Sequence, residues 1–212
     1  MSIHVNSGLK LYMESAIAAP VTITAITKAA PGVLSATGHT FANGDTVLLE
    51  IQGMVELHGY LCKVVNVVAS TSFQVAGVDG TAGIDTTLFS TFSSGTAKKV
   101  TLGTSIVGVQ EFAFAGGEIK TTDTTTVNDT VDTQIVVGAT AQSADMTMQW
   151  DPSAAAQQAM ITAFKTRSNK GFKVLWPDGA FAMWYGTVGY TGAPGGGKQG
   201  VTTSPAKITM LG

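Results

Sequence analysis

The chain has 212 residues, of which only 12% are charged, and a formal net charge of −2. This length allows one large domain or two small ones, and the slight negative charge argues against a groove that grips nucleic acid. So few charges favour a protein that covers much of its surface with copies of itself, the alternative being a Thr/Ser-rich secreted β-protein.

The N-terminal residues carry no basic start and no apolar run of the signal-peptide kind. No apolar run approaches the roughly 20 residues that cross a bilayer. Cys62 is the only cysteine, which rules out an intrachain disulfide and a cysteine metal cluster. We therefore expect synthesis in a reducing cytoplasm, no membrane insertion, and a buried Cys62.

The first two predicted strands, residues 8–15 and 20–27, show alternating apolar positions. From residue 28 the pattern changes to short apolar runs, such as 47–51 and 63–68, separated by Gly, Asn and Ser turns. Short strands at close spacing predict a small β-barrel over residues 28–99.

A long hairpin is predicted after the barrel. Residues 105–114, 134–138 and 144–150 have strand character, and a polar, Thr-rich tract at 120–133 separates the first from the others. Thr favours strands, but this tract has little apolar surface to bury. We therefore expect a strand pair that becomes well ordered only against a partner.

One helix is predicted, at about 152–170. Asp151 is placed to cap its first turn, Pro152 suits the first helical position, and Gly171 is expected to supply a left-handed stop. The last turn is expected to hold three bases that complement the helix dipole: Lys165, Arg167 and Lys170.

The apolar face of this helix is expected to contain Ala156, Met160 and Phe164, with Ile161 beside them. The flanking apolar segments, including 172–176, would form the sheet on which it packs. A second hairpin (172–176 with 181–188), a glycine-rich loop (189–200) and a final strand (206–211) complete the chain.

The charges are unevenly distributed along the second half of the chain. Residues 111–151 contain seven acids and one base, for a net charge of −6, and residues 165–207 contain six bases and one acid, for +5. Opposite poles permit head-to-tail contact between copies, although they could equally neutralise each other within one subunit.

The sequence offers no catalytic apparatus. The loop from Gly192 to Lys198 has phosphate-loop spacing, but Gln199 replaces the hydroxyl residue that ligates magnesium and no helix is expected to follow. The three histidines are scattered, and the spacing around Asp129 and Asp132 matches no calcium loop. We therefore expect no cofactor and no metal.

Two parts of the chain resemble phage virion proteins. The 28–99 segment is similar to a small barrel module inserted in such proteins, through the following residues: His39, Phe41, Gly44, Asp45, Val47, Phe73 and Gly77. The remainder resembles the major tail tube proteins of long-tailed bacteriophages. That likeness rests on Gly116-Gly117-Glu118 leading to Asp123-Thr124-Thr125, on Trp150-Asp151-Pro152 at the helix start, and on the short strand 173–176.

The resemblance implies a mainly β fold, a tail-tube-type β-sandwich/barrel with one packed α-helix and an inserted small β-barrel. Residues 1–27 and 100–212 would form the tail-tube core and 28–99 the inserted domain. Subunits of this kind would form hexameric rings that stack head to tail into a virion tail tube, made in the host bacterial cytoplasm. Double-stranded DNA would pass through transiently, and other phage tail proteins would be partners.

Residues expected at subunit contacts or in the lumen are the following: Glu118, Asp123, Asp129, Asp132, Lys165, Arg167 and Lys170. Two alternatives stay open at this point. One is a receptor- or glycan-binding module of a tail tip or cell surface, in which the small barrel binds. The other is a terminator or connector ring with the same fold.

Overall fold

A computed structural model of the chain describes residues 8–76, 80, 83–128, 130–197 and 200–211. This part is mainly β-structure, as predicted, with one α-helix, α1 (Ala155–Thr166), and a short 3₁₀ helix (Val55–Leu57). Its strands are β1 (Lys10–Met13), β2 (Ala16–Ile17), β3 (Val21–Ile23), β4 (Ala25–Ile26), β5 (Leu34–Ser35), β6 (Thr46–Gln52), β7 (Leu61–Val68), β8 (Ser72–Val75), β9 (Ser94–Thr101), β10 (Thr104–Ile106), β11 (Val109–Ala115), β12 (Ile119–Asp123), β13 (Gln134–Ala139), β14 (Ser143–Gln149), β15 (Asn169–Leu175), β16 (Phe181–Gly189) and β17 (Thr203–Met210).

The first sheet has seven antiparallel strands in the order β10-β1-β15-β16-β17-β14-β11. Because successive side chains of a strand point to opposite faces, alternate residues of most of these strands enter one core. Leu11 and Met13 of β1 and Phe172 and Val174 of β15 are buried there. Helix α1 lies on this face, where its Met160 is fully buried, so the predicted packed helix is confirmed.

This sheet curls strongly around its core. Strands β17 and β14 separate β16 from β11, so side chains on β16 and β11 would lie about 14 Å apart in a flat sheet. The rings of Phe112 on β11 and Trp184 on β16 are nevertheless stacked with 6.0 Å between centroids. The curl brings the β11 edge toward β16, and helix α1 covers the core on the same face.

The ends of α1 differ from the prediction. Asp151 does not cap the helix, because its Oδ1 accepts bonds from the amide and hydroxyl of Ser153 in the preceding turn, at 2.9 and 2.6 Å. The helix begins after Ala154 with no side-chain cap. It ends at Arg167, which itself takes the left-handed conformation (φ 52°), whereas Gly171 lies within β15. The predicted glycine stop is wrong.

The buried face of α1 also differs from the predicted one. Phe164 is 42% exposed, and the buried positions are Ala156, Gln157, Met160 and Ala163. Gln157 turns inward because it is fully bonded there: Tyr190 donates its hydroxyl to Gln157 Oε1 at 2.8 Å, and Gln157 Nε2 donates to the Gln149 carbonyl at 2.6 Å. No helix in the described part of the chain has the length and apolar character needed to cross a bilayer.

The second sheet has eight strands in the order β2-β9-β6-β7-β8-β5-β4, with β3 also paired to β9. It bends around its own core, which includes Leu34, Val47 and Phe73. Its described strands do not close into a barrel, which corrects the closed barrel predicted for residues 28–99. The segment before residue 28 pairs with two different strands, and the change comes at Thr24. Before it, β3 pairs with β9 over three residues; after it, β4 pairs with β5 over two.

A small apolar junction joins the two sheets. Leu48, Leu61 and Val100 of the second sheet pack with Met183 and Tyr185 of β16. Strands β2 to β4 lie before residue 28 and pair within this second sheet, together with the predicted insertion. The division into 1–27, 28–99 and 100–212 stays a prediction.

Candidate assembly surfaces

Strands β12 and β13 form a separate two-stranded antiparallel sheet beyond the end of β11. We call residues 116–142, which contain both strands, the hairpin. Every residue of β12 and β13 is exposed. A pair of strands that buries neither face is marginally stable in water. The predicted long hairpin is therefore present, and it lies outside both cores.

The hairpin exposes apolar side chains that a free-standing loop would not carry. Ile119 is 67% exposed and Val136 is 66% exposed, and four further side chains are exposed to a similar or greater degree: Val127, Val131, Ile135 and Val137. Several large apolar side chains exposed in one segment are typical of an interaction site in soluble proteins. The hairpin is accordingly a candidate surface for contact with another chain.

The root of the hairpin is fixed by Gly116 and by an aromatic cluster. Gly116 has a φ of +88°, and a Cβ there would lie 2.3 Å from the Ala141 carbonyl oxygen, so a side chain is excluded. Just before it, the Phe114 ring meets the Trp184 ring edge to face at 5.2 Å. The hairpin thus leaves the first sheet from a well-packed base.

The predicted acidic residues lie on this hairpin. Glu118, Asp123 and Asp132 are exposed, and Asp129 lies outside the described residues. Asp123 Oδ1 accepts bonds from the Thr125 hydroxyl and amide at 2.5 and 2.8 Å. These bonds stabilise the charged carboxylate and lower the pKa of Asp123. The hairpin is therefore acidic at neutral pH.

The predicted basic residues do not form one group. Lys165 and Arg167 lie at the end of α1, whereas Lys170 lies in β15 and donates to Glu14 Oε1 at 2.9 Å. Glu14 is 5% exposed, and its Oε2 also accepts the Gly171 amide at 3.1 Å. Lys170 is committed to a buried intrachain ion pair, an interaction 156 positions apart that no local pattern signals.

An open groove of about 540 Å³ lies beside the end of α1. We call it the helix-end groove; its lining is Phe164, Lys165, Arg167, Thr187, Val188, Gly189, Lys207 and Thr209. Lys207 and Phe164 were not among the predicted contact residues. Lys207 comes from a strand 40 residues beyond the helix, so only the fold places it near Arg167.

Both edges of the first sheet are open within the described chain. Strand β10 pairs there with β1 alone, and β11 pairs with β14 alone. An edge strand presents unpaired backbone N–H and C=O groups, which readily accept a strand from another chain. At seven residues, β11 is long enough to act as such an edge.

The features that suggest small-molecule chemistry find no support in the described residues. Lys198 and Gln199 of the phosphate-loop-like motif lie outside them, and the chain that follows forms strand β17, not a helix. No three His, Cys, Asp or Glu side chains of the described residues cluster as a metal site. His39 is buried against the Phe41 ring at 5.4 Å.

Comparison with known families identifies the family of the chain. A family model described as phage tail tube protein, TTP, matches residues 53–212. That range includes the first sheet from β10 onward, the hairpin, α1 and residues 53–99 of the predicted insertion. Comparison with curated proteins finds none that matches the chain. The chain belongs to the phage tail tube protein family, whose members are structural proteins of the virion tail.

Proposed function

We propose that this protein is the subunit of a tail tube, in which hexameric rings stack head to tail around a channel that conducts double-stranded DNA. The observation that carries the proposal is the exposed hairpin, which leaves the subunit with apolar surface that only another chain can cover. Family membership supports the tube, and the resemblance to major tail tube proteins supports six subunits per ring.

Ring closure follows from the two open edges of the first sheet. A contact in which β11 of one copy meets the β10 edge of the next is heterologous, and such a contact gives a ring when its rotation closes. Closing the ring pairs both open edges of the first sheet. The curl of the sheet, shown by the Phe112–Trp184 stacking, gives the curvature that a closed wall requires.

Stacking is assigned to the hairpin. It extends from the first sheet and buries nothing of its own, and it therefore gains the most from contact with a neighbouring copy. With a formal net charge of −2, the subunit has no basic surplus that would hold DNA in transit. A weakly binding wall suits a conduit better than a binding protein.

We further propose that the 28–99 segment, folded with β2 to β4, projects from the outer wall, where it leaves the channel clear. The ends of this unit lie together, since the Ser15 amide donates to the Thr101 carbonyl at 2.8 Å. Excision of 16–101, with Ser15 joined to Leu102 through a short linker and the newly exposed Met183 and Tyr185 changed to Thr, should leave assembly intact. Loss of assembly in a folded excised protein would contradict this placement.

Electron microscopy of the purified full-length chain tests the proposed function. Tubes built of six-fold rings are expected at high protein concentration. Single rings that never stack would indicate a terminator or connector instead. Monodisperse monomers at all concentrations would contradict the proposal.

A further inference from the structure

The helix-end groove is a basic surface with no partner in the described chain. No hydrogen bond or ion pair among the described residues engages the side chain of Lys165 or of Arg167. The Lys207 ammonium group lies 3.9 Å from Asp145 Oδ1, a long contact, and the Lys207 side chain is 63% exposed. The groove therefore presents three cations, of which two are unpaired.

The groove also contains an exposed aromatic ring. Phe164 lies on the lining beside Lys165, although a ring at this point of a helix would ordinarily turn to the core. Gln157 and Ala163 occupy the inward face instead. A site that combines cations with an apolar ring suits a partner with carboxylates next to aliphatic side chains.

The hairpin has that combination. Residues 116–142 carry a net charge of −3 by sequence, and Val127 and Val131 near the tip are exposed beside Asp132. Charge complementarity of this kind fixes register and partner choice more than it adds affinity. The two surfaces match in sign and in apolar content.

Within one subunit the two surfaces do not cover each other. Every residue of the hairpin strands is exposed, and Phe164, Lys165 and Arg167 are exposed too. An extended arm from Gly116 to the tip reaches about 35 Å from its root. The arm is long enough to bridge to another copy, and the occupant is therefore a second copy of this chain.

We propose that the hairpin tip of one subunit docks in the helix-end groove of a subunit in the adjacent ring. Asp123 and Asp132 face Lys165, Arg167 and Lys207 there, and a tip valine packs on Phe164. This inference rests on the proposed tube and names the contact that would stack it.

Charge reversal with rescue tests the contact in the full-length chain. The groove variant is Lys165→Glu with Arg167→Asp, since Asp tolerates the left-handed conformation at 167 better than most residues. The hairpin variant is Asp123→Lys with Asp132→Lys. The control is Lys10→Glu with Lys28→Asp, which makes the same charge change as the groove variant at two exposed lysines away from the groove.

We expect each of the two test variants to slow tube growth at least ten-fold by light scattering in low salt, with rings intact in electron micrographs. The variant with all four changes should recover most of the wild-type rate, and the control should match wild type. Normal growth of both test variants would overturn the inference, and so would failure of the variant with all four changes to recover. Neither result would contradict the proposed tube. A wild-type chain that never assembles would overturn both.

A cysteine pair gives a second readout that does not depend on charge. With Val127→Cys and Phe164→Cys in one chain, oxidation of assembled material should produce a ladder of linked multimers on non-reducing gels. Native Cys62 is buried and should not contribute. Multimers equally abundant in a variant with Val127→Cys alone would contradict the contact.

Discussion

The first sheet and the hairpin are both antiparallel β-structure, yet they differ in what holds them. In the first sheet, one face of nearly every strand enters a core with α1, and Phe172 and Met160 are wholly buried. In the hairpin, every residue of β12 and β13 faces solvent. Backbone pairing and hydrogen bonds of exposed Asp and Thr side chains define the hairpin, whereas apolar burial stabilises the sheet. The first sheet thus buries its apolar face within the subunit, whereas the hairpin leaves its apolar side chains exposed.

The largest expected difference comes from truncating an apolar side chain in each region. Phe172→Ala in the first sheet should lower the free energy of unfolding by about 3–5 kcal/mol, because it removes a fully buried ring. Ile135→Ala in the hairpin should change it by less than about 0.5 kcal/mol, because the residue is exposed.

Urea denaturation of the unassembled subunit measures both values. Assembly should respond in the opposite order, with the Ile135 variant folded but impaired in tube growth. A hairpin variant as destabilised as the core variant would erase the distinction between the two regions.

The next largest effect on stability distinguishes Lys170 from Lys165, which the sequence places in one group of contact residues. Lys170→Met should destabilise the subunit by about 2–3 kcal/mol, because it leaves the Glu14 carboxylate buried without its cation. Lys165→Met, at an exposed site, should change stability by less than about 0.5 kcal/mol. Thermal unfolding of the two variants decides this, and equal melting temperatures would show that the Glu14 pair contributes nothing.

A smaller effect is expected at the polar contact beneath α1. Tyr190→Phe removes the hydroxyl that bonds Gln157 Oε1 but leaves the ring in the core, so the loss should be about 1 kcal/mol. Gln157→Leu leaves both the Tyr190 hydroxyl and the Gln149 carbonyl without that partner and should cost more. If the Gln157→Leu variant proved more stable than the wild-type subunit, the hydrogen bonds of Gln157 with Tyr190 and Gln149 would not be what orients the helix.

The last stability prediction concerns Cys62 in the second sheet. Burial raises its pKa from 9.0 to about 12. The folded chain therefore keeps the proton that the unfolded chain loses near pH 9, so rising pH between these values favours unfolding through this group. Iodoacetamide at pH 8.5 should label Cys62 only as fast as the subunit unfolds. Prompt labelling of the folded subunit would contradict that burial.

The sequence predicted the features whose signals are local. The single helix, the long hairpin and the strands of the first sheet follow from periodicity and turn residues. The inward turn of Gln157 does not, because its partners Tyr190 and Gln149 come from other segments. Helical spacing alone predicts Phe164 in the core, but Gln157 and Ala163 occupy the inward face instead.

The candidate surfaces divide in the same way. The acidic hairpin was visible as a run of charges, whereas the helix-end groove combines α1 with β16 and β17 and exists only in the folded chain. The ion pair of Lys170 with Glu14 gives no local signal either, because Glu14 lies far away in sequence. Contacts between distant segments are what a single sequence does not encode in any local pattern.

Hydrogen exchange on the unassembled subunit and on the assembled tube tests the central claim most directly. The amides of Phe172, Val174 and their neighbours in the first sheet should be protected in both states. The amides of β12 and β13 should exchange rapidly in the free subunit and become protected, by at least a hundred-fold, in the tube. Equal protection of the hairpin in both states would show that it completes no contact between copies.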